Sequence, residues 1–236
     1  MSNRFDGQVA LVAGGTGALG SAVARLLLAE GAQVTVTYRK AEEFAALQRA
    51  VGASALAGAQ TDVTELGSAE QLIAGLVREH GRLDILVNAV GGYVGGAALW
   101  QADPAALERM LSLNLRSGHA LARAAAPVLL RNGRGAIVNI AARAALEHGA
   151  GSAAYNASKA AALALFDSLA ADLAGSGVRV NSVLPSIIDT PANRAAMPDA
   201  AFARWPKADD IARVVLFLCS DDARVIHGAA IPVYGA

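Results

Sequence analysis

The sequence has little of what marks several specialised classes of protein. Its 236 residues include a single cysteine, so no internal disulfide can form, and the formal net charge is zero. A balanced charge removes the basic surface that nucleic acids and anionic membranes attract. No apolar run approaches the roughly 20 residues of a membrane-spanning helix, and residues 1–7 lack the apolar stretch of a signal peptide. We therefore expect a cytoplasmic protein that binds neither nucleic acid nor membrane.

The composition is that of a chain with a substantial core. Hydrophobic residues make up 54% of the sequence, which fits one large α/β domain over residues 1–236. The lone Cys219 lies in Val-Leu-Phe-Leu-Cys-Ser, which predicts a buried helix face. Core packing is therefore expected of this thiol rather than reactivity, and we expect no metal site.

Short apolar runs alternate with longer helical patterns along the whole chain. The predicted strands are Val9–Ala13, Val34–Tyr38, Ala55–Gln60, Ile85–Ala89, Ala136–Ile140, Arg179–Leu184 and Ala230–Val233. The predicted helices cover 18–30, 41–51, 67–79, 104–131, 153–174 and 208–219. This alternation predicts a doubly wound parallel sheet of about seven strands with helices on both faces. The strands are almost continuously apolar, as expected where neither sheet face meets water.

One stretch follows neither pattern. Residues 186–206 contain three prolines together with Met197, Phe202 and Trp205. A loop of this length in a compact domain is usually functional. We therefore interpret it as a lid over a substrate site.

A glycine-rich turn follows the first predicted strand. The turn reads Gly14, Gly15, Thr16, Gly17, Ala18, Leu19, Gly20, and a helix begins at once. Gly15, Gly17 and Gly20 match G-x-G-x-x-G in the strand–turn–helix setting that the pattern requires. Glycines allow the backbone to approach a pyrophosphate, which the helix N-terminus stabilises. The turn predicts a dinucleotide site, and the alternative is a turn without a ligand.

The end of the second strand indicates which dinucleotide is bound. An acidic residue commonly binds the adenosine ribose there, but this chain has Tyr38 and Arg39. An arginine can instead pair with a 2′-phosphate, which favours NADP, with NAD as the second possibility. The alternative for Arg39 is a solvated loop cation. Asp62 and Val63, after the third strand, lie where an adenine can be contacted.

Tyr155 and Lys159 form a candidate acid–base pair. They are four residues apart at the start of a long Ala/Leu-rich helix and therefore share one helix face. A nearby ammonium lowers the pKa of a phenol from its ordinary value of about 10, which favours proton exchange near neutrality. By itself the spacing is more typical of an exposed polar pair than of a catalyst, so the glycine turn upstream is what supports catalysis.

Together these motifs resemble the short-chain dehydrogenase/reductase family along the full chain. The resemblance implies a single Rossmann domain, an NAD(P) cofactor, a small-molecule substrate and a homo-oligomer, either a dimer or a tetramer. It implies that residues 14–20 bind the phosphates and that Asn88 and Ala89 lie beside the cofactor. It makes Tyr155 the acid–base residue, and Lys159 its partner and a ligand of the nicotinamide ribose.

The same resemblance assigns three further regions. Asn114 corresponds to the helix asparagine that supports a proton relay to the lysine. The segment 181–191 corresponds to the one flanking the nicotinamide carboxamide, where we expect contacts from Pro185, Ile188 and Thr190.

One departure from the family concerns catalysis directly. The family places a substrate-binding serine thirteen residues before the tyrosine, and this chain has Ala142 there, preceded by Ala141. Loss of one oxyanion donor typically costs about 3–4 kcal/mol. Ser152 replaces it only if its loop turns inward. We expect His148, Arg143 and Glu147 to be surface residues, and Tyr93 and Trp100 to line a pocket or simply to pack.

The dihydropteridine reductase branch of the family lacks the same serine. The chain is similar to that branch in 17–20, in Gly91-Gly92-Tyr93 with Gly95-Gly96, and in 184–205. A quinonoid dihydropterin is an imine-like acceptor whose reduction depends less on a carbonyl clamp. That branch has an acidic residue where this chain has Tyr38-Arg39.

These observations favour an NADP(H)-preferring oxidoreductase that reduces a small conjugated (quinonoid, imine-like or pterin) or carbonyl substrate, with Tyr155 as proton donor. Two alternatives remain open. One is a ketone or 3-oxoacyl reductase that tolerates Ala142. The other is a catalytically silent dinucleotide-binding sensor or scaffold, against which the retained Tyr155 and Lys159 argue.

Overall fold

The computed structural model describes residues 3–52 and 56–235. Within them the chain forms one parallel sheet of seven strands in the order β3-β2-β1-β4-β5-β6-β7. The strands are β1 (Val9–Ala13), β2 (Gln33–Tyr38), β3 (Leu56–Gln60), β4 (Ile85–Asn88), β5 (Gly135–Ile140), β6 (Val178–Pro185) and β7 (Ala230–Val233). The predicted doubly wound sheet is confirmed. Ala55, predicted to begin the third strand, lies outside the described residues.

Helices cover both faces of the sheet. They are α1 (Ala18–Ala29), α2 (Ala41–Val51), α3 (Leu66–His80), α4 (Ala105–Leu111), α5 (Ser117–Asn132), α6 (Ala153–Asp172), α7 (Pro191–Ala196) and α8 (Ala208–Cys219). Val12 on β1 faces the core formed with α1, α2 and α8, whereas its neighbour Leu11 faces the core formed with α3, α5 and α6. Alternate strand residues thus feed two apolar cores, as a doubly covered sheet requires. Among the described helices, none has the length and apolar character needed to cross a bilayer.

Two segments differ from their predictions. The helix predicted over 104–131 is divided, because Ser112–Arg116 adopts a wider π-helical turn between α4 and α5. The lid segment 186–206 is not wholly irregular, since α7 forms within it with Thr190 as its N-cap: the Thr190 side chain accepts a hydrogen bond from the Asn193 amide. Pro191 at the first helical position favours this start because its φ angle is already helical.

The strand register brings the candidate site together. Ala13 pairs with Asn88, Asn88 with Asn139, and Asn139 with Ser182. Because all strands run in the same direction, the loops that follow β1, β2, β4, β5 and β6 meet at one edge of the sheet. In open α/β sheets ligands bind at this carboxyl edge.

Candidate active site

The glycine turn after β1 is packed so closely against its neighbours that Gly14 and Gly20 have no room for a side chain. Gly14 has φ of +74°, and a Cβ there would lie 2.9 Å from the carbonyl oxygen of Ala89. A Cβ at Gly20 would lie 2.2 Å from the Gly14 carbonyl oxygen. The Gly14 amide donates to Thr37 Oγ1 at 2.9 Å, which fixes the turn on β2.

The residues of this turn fit a bound pyrophosphate. Gly17 is the N-cap of α1 and has extended backbone angles, with no side chain to cap the helix. The first amide groups of α1 are therefore not taken by a side-chain cap, and they carry the positive end of the helix dipole. The backbone can approach a ligand closely, since neither Gly15 nor Gly17 projects a Cβ.

Arg39 is paired across the expected adenosine end of the site. Its Nη1 donates to Asp62 Oδ2 at 2.8 Å, and the Arg39 side chain remains 69% exposed. The Thr64 hydroxyl is the main cause that lowers the pKa of the Asp62 carboxyl, and Arg39 adds to it. Sequence analysis assigned Arg39 and Asp62 to different parts of the cofactor, whereas the structure joins them in one ion pair.

Three other residues border this region. Tyr38 stacks on Phe44 with ring centroids 4.6 Å apart, which fixes the position of the Tyr38 ring beside Arg39. The Thr16 hydroxyl donates to Glu43 Oε2 at 3.2 Å, which places a carboxylate beside the glycine turn. Val63 is only 5% exposed and packs in the α3 core. Val63 can therefore contact an adenine only through its backbone.

Asn114 connects the loop after β4 to α6. Its Oδ1 accepts from the Gly92 amide at 2.9 Å, and its Nδ2 donates to the Gly92 carbonyl at 3.1 Å and to Ser158 Oγ at 2.9 Å. Ser158 in turn donates to the Tyr155 carbonyl oxygen. The π-helical turn aims Asn114 at these partners, in line with the frequent occurrence of such turns at functional sites.

Lys159 lies in the same cluster. It is 6% exposed, and its Nζ donates to the Ile140 carbonyl oxygen at 3.0 Å. A Cβ at Gly91 would lie 2.9 Å from Asn114 Oδ1 and 3.2 Å from Lys159 Nζ. The amide and the ammonium therefore line one small space beside Gly91.

Protonation in the cluster differs from the sequence expectation. Burial, with a smaller contribution from Tyr93, raises the pKa of Tyr155 to about 12. Burial also lowers the pKa of Lys159 to about 8. The prediction that Lys159 lowers the phenol pKa is therefore wrong for the protein alone. The ammonium is turned toward Ile140, and desolvation, which disfavours charge on both groups, dominates.

Tyr93 and Ser152 stand next to Tyr155. The rings of Tyr93 and Tyr155 meet edge to face with centroids 5.0 Å apart. The Tyr93 hydroxyl lies 2.9 Å from Ser152 Oγ, at an exposed position. Ala142 and the neighbouring Ala141 are buried at the end of β5.

The remaining predicted cofactor contacts lie along the same edge. The Ala89 amide donates to the Ala13 carbonyl, and Asn88 Nδ2 donates to Asn139 Oδ1 at 3.1 Å. Pro185 ends β6. The Ile188 carbonyl accepts from Asn193 Nδ2 at 2.8 Å, which ties this part of the segment to α7.

Side-chain contacts within segment 186–206 hold its parts together. Arg194 forms two hydrogen bonds to Asp189, of 2.6 and 2.8 Å, and its guanidinium lies 5.0 Å from the centroid of the Phe202 ring. Phe202 packs against Trp205. The Asp189 amide donates to the Pro206 carbonyl at 2.9 Å, which closes the base of the segment.

Several residues considered from sequence lie apart from the cluster. Arg143 pairs with Glu147. His148 and Trp100 line a separate cleft of about 540 Å³ against the Ala153–Ala157 turn of α6. Cys219 is buried, as predicted, and burial raises the pKa of its thiol to about 12. Within residues 3–52 and 56–235, no three His, Cys, Asp or Glu side chains gather as metal ligands.

Sequence reasoning missed Ser158 and Gly91. Ser158 is fully buried and joins Asn114 to α6. Its place between Tyr155 and Lys159 was the only available signal. Gly91 leaves the space shared by Asn114 and Lys159, and nothing in the sequence distinguishes it from the glycines around it.

Comparison with known proteins agrees with this geometry. A family model described as enoyl-(acyl carrier protein) reductase matches residues 14–235. The chain is 33% identical to 2-(R)-hydroxypropyl-CoM dehydrogenase of Xanthobacter autotrophicus, covering 97% of this chain and 98% of that protein. It is 34% identical to dehydrogenase/reductase SDR family member 4 of Bos taurus, covering 99% and 88%.

Solved structures show the same relationship. A short-chain dehydrogenase/reductase from Mycobacterium ulcerans superimposes with a TM-score of 0.93 at 29% identity, covering 100% of this chain and 90% of that one. The matches in sequence and in structure both extend over nearly the whole chain. The protein is therefore an oxidoreductase that belongs to the short-chain dehydrogenase/reductase family.

Proposed function

We propose that the protein reduces a small carbonyl or conjugated imine-like substrate with NADPH, using Tyr155 as the proton donor. The observation that carries the proposal is the cluster of Tyr155, Lys159 and Asn114 at the sheet edge that also holds the glycine turn. Members of this family use NAD(P), and a reduced nicotinamide supplies a hydride. The residues of the chain must then supply a proton and hold the substrate.

The protonation states of the site suit reduction. With a pKa of about 12, Tyr155 is a neutral phenol at neutral pH and can donate its proton to an oxygen or nitrogen that gains charge. The Lys159 ammonium carries its charge below a pKa of about 8, and it stabilises the phenolate left behind once its Nζ turns from the Ile140 carbonyl toward Tyr155. Asn114 lies beside Lys159 and can hold a water molecule, through which a proton reaches the lysine.

The preference for NADPH rests on Arg39. One of its guanidinium nitrogens is held by Asp62, and the rest of the group stays open to solvent. A 2′-phosphate can therefore pair with Arg39 while Asp62 keeps the side chain in place. Glu43 opposes this preference, because its carboxylate lies at Thr16 and repels a 2′-phosphate. Its pairing with Lys40 at 3.3 Å offsets part of that repulsion.

Replacement of Arg39 by alanine tests the preference. We expect Arg39→Ala to weaken NADPH binding by about tenfold or more, since it removes a charge-assisted contact, and to change NADH binding little. Glu43→Gln is the matched variant, which should tighten NADPH binding selectively. Fluorescence titration of both cofactors measures these changes. Equal losses for NADPH and NADH in Arg39→Ala would remove the assignment.

The substrate class follows from Ala142. Because no hydroxyl stands at this position, we favour a quinonoid or pterin-like acceptor, whose reduction needs less support at a carbonyl oxygen. The second candidate is a simple ketone or a 3-oxoacyl compound, or the corresponding alcohol in the reverse direction. It is supported by the relative named as 2-(R)-hydroxypropyl-CoM dehydrogenase.

A screen of NADPH consumption separates these candidates. Quinonoid dihydropterin, a quinone, a cyclic imine and simple ketones are each supplied to the wild type and to Tyr155→Phe. We expect the wild type to reduce at least one of these acceptors, and we expect Tyr155→Phe to reduce the same acceptor much more slowly. Binding of NADPH without turnover of any acceptor would favour a silent sensor instead.

A further inference from the structure

Ser152 occupies the N-cap position of α6 without capping the helix. Serine at this position normally accepts a hydrogen bond from the first amide groups of the helix, which stabilises the helix. In the described residues of α6, no amide group donates to the Ser152 side chain. The Ser152 hydroxyl instead lies 2.9 Å from the hydroxyl of Tyr93. Ser152 therefore contacts Tyr93, whose ring lies against Tyr155, and does not stabilise the start of α6.

The surrounding backbone is shaped to hold this pair of hydroxyls. A Cβ at Gly95 would lie 2.2 Å from Tyr93 Oη and 2.8 Å from Ser152 Oγ, so only glycine leaves room for both groups. The Gly96 amide donates to the Gly151 carbonyl at 2.8 Å, which ties the loop after β4 to the loop before α6. The position of the pair is therefore fixed by backbone on both sides.

The pair has an uncommitted donor. Two hydroxyl groups have two protons, and one hydrogen bond between them uses only one. Whichever oxygen accepts, its own O–H is free to bind a third atom. The Tyr93 side chain is 62% exposed, and its ring stands edge to face with Tyr155 at 5.0 Å. The free donor thus belongs to a solvent-exposed hydroxyl pair whose Tyr93 ring contacts the ring of Tyr155.

We propose that Tyr93 and Ser152 together form a substrate-binding donor that holds the acceptor atom of the substrate beside Tyr155. This inference rests on the proposed function. The acceptor is an oxygen or nitrogen with a free lone pair, as in a ketone or a conjugated imine. In this arrangement Ser152 donates its proton to Tyr93, and the Tyr93 O–H binds the substrate in place of the hydroxyl that Ala142 lacks. Tyr93 is then a catalytic residue, and Ser152 positions it.

Removal of each hydroxyl tests the proposal in the full-length enzyme. Tyr93→Phe keeps the ring contact with Tyr155 and should lower kcat/KM by about 100-fold, the lower end for loss of one oxyanion donor. Ser152→Ala should give a smaller loss, and the double variant should be little worse than Tyr93→Phe, because the two hydroxyls act as one unit. NADPH affinity should be unchanged throughout. Ser168→Ala is the matched control, since Ser168 bonds only the Ala164 carbonyl on the same helix.

Restoring the hydroxyl at position 142 gives a readout that a purely structural role would not produce. We expect Ala142→Ser to raise ketone reduction and to make the enzyme far less sensitive to Tyr93→Phe, because a second donor is then present. Equal losses from Tyr93→Phe with Ala142 and with the serine variant would overturn the proposal.

A binding measurement complements the kinetics. N,N-dimethylacetamide, an unreactive carbonyl compound, is titrated into the NADPH complex and followed by cofactor fluorescence. Tyr93→Phe should weaken the binding of this amide about tenfold. Unchanged binding would overturn the role of Tyr93 and Ser152 but would leave the proposed function standing. If the wild type fails to bind NADPH at all, the proposed function fails and the inference falls with it.

Discussion

Burial controls the charge of the two central side chains, Tyr155 and Lys159. Desolvation disfavours the phenolate and the ammonium alike, so the pKa of Tyr155 rises to about 12 and that of Lys159 falls to about 8. Sequence spacing correctly predicts that these residues share a helix face. It cannot predict that Lys159 is turned to the Ile140 carbonyl, because that contact depends on how α6 packs on β5.

The lowered lysine pKa predicts an alkaline limit on reduction. As pH rises through about 8, Lys159 loses its proton while Tyr155 keeps its own. We therefore expect kcat/KM for reduction to fall through this range, since a neutral lysine no longer stabilises the phenolate. A pH–rate profile measures the limit, and Lys159→Arg, which stays charged, should move it to higher pH. A limit near the ordinary lysine value of 10.5 would contradict the role given to burial.

The same residue predicts a pH dependence of folding. The pKa of Lys159 is lowered in the folded state, so between about 8 and 10.5 the unfolded chain holds a proton that the folded protein has lost. The contribution of Lys159 to stability therefore rises with pH across this window, and the cost of burying its charge is present below it. Cys219, whose pKa is raised from 9.0 to about 12, contributes an opposite change above about 9 in both proteins. Chemical denaturation should therefore show the stability of the wild type rising relative to that of Lys159→Met between about 8 and 10.5.

Among the secondary-structure elements, strands were easier to predict than the details that place the site. The apolar runs identify all seven strands in the described residues to within about two residues. The wider turn at Ser112–Arg116 was not predictable, because Leu113 and Asn114 are compatible with a regular helix. In this turn Asn114 accepts a hydrogen bond from the Gly92 amide and donates one to Ser158, and both partners are distant in sequence.

Pairing of Arg39 with Asp62 has a similar origin. The residues are 23 positions apart, and parallel pairing of β2 with β3, which sets Tyr38 beside Gln60, brings them together. The motif identified the cofactor edge of the sheet, but only the register shows that a carboxylate holds the arginine.

Asn114, in the π-helical turn Ser112–Arg116, is predicted to be needed both for stability and for reductase activity. Asn114→Ala removes the partners of the partly buried Gly92 amide and carbonyl, and the loss of each hydrogen bond costs about 1 kcal/mol. We expect lower thermal stability together with loss of most reductase activity. Asn132→Ala is the control, because Asn132 donates to the Leu83 carbonyl far from the cluster. That variant should lose some stability and keep its activity. Full activity in Asn114→Ala would exclude the relay.

At the scale of the whole molecule, the described surface carries an apolar area near α4. Leu99 and Trp100, just before α4, are 72% and 86% exposed, and Leu107 on α4 is 48% exposed. The cleft beneath Trp100 continues this area onto α6, where Ala153 and Ala157 line it. Exposed apolar areas of this kind commonly mark contacts between protein chains.

We therefore predict a homo-oligomer in which α4, α5 and α6 of two copies pack across a two-fold axis, so that each copy covers the apolar area of the other. Light scattering at micromolar concentration should give a mass of at least twice 23.9 kDa. Trp100→Glu places a charge in the centre of the area and should shift the protein toward the single-chain mass. Val225→Glu is the comparison, because Val225 is as exposed as Trp100, at 85%, but lies beyond α8 and outside the predicted interface. A wild type that scatters only as a 23.9 kDa species would rule out the oligomer.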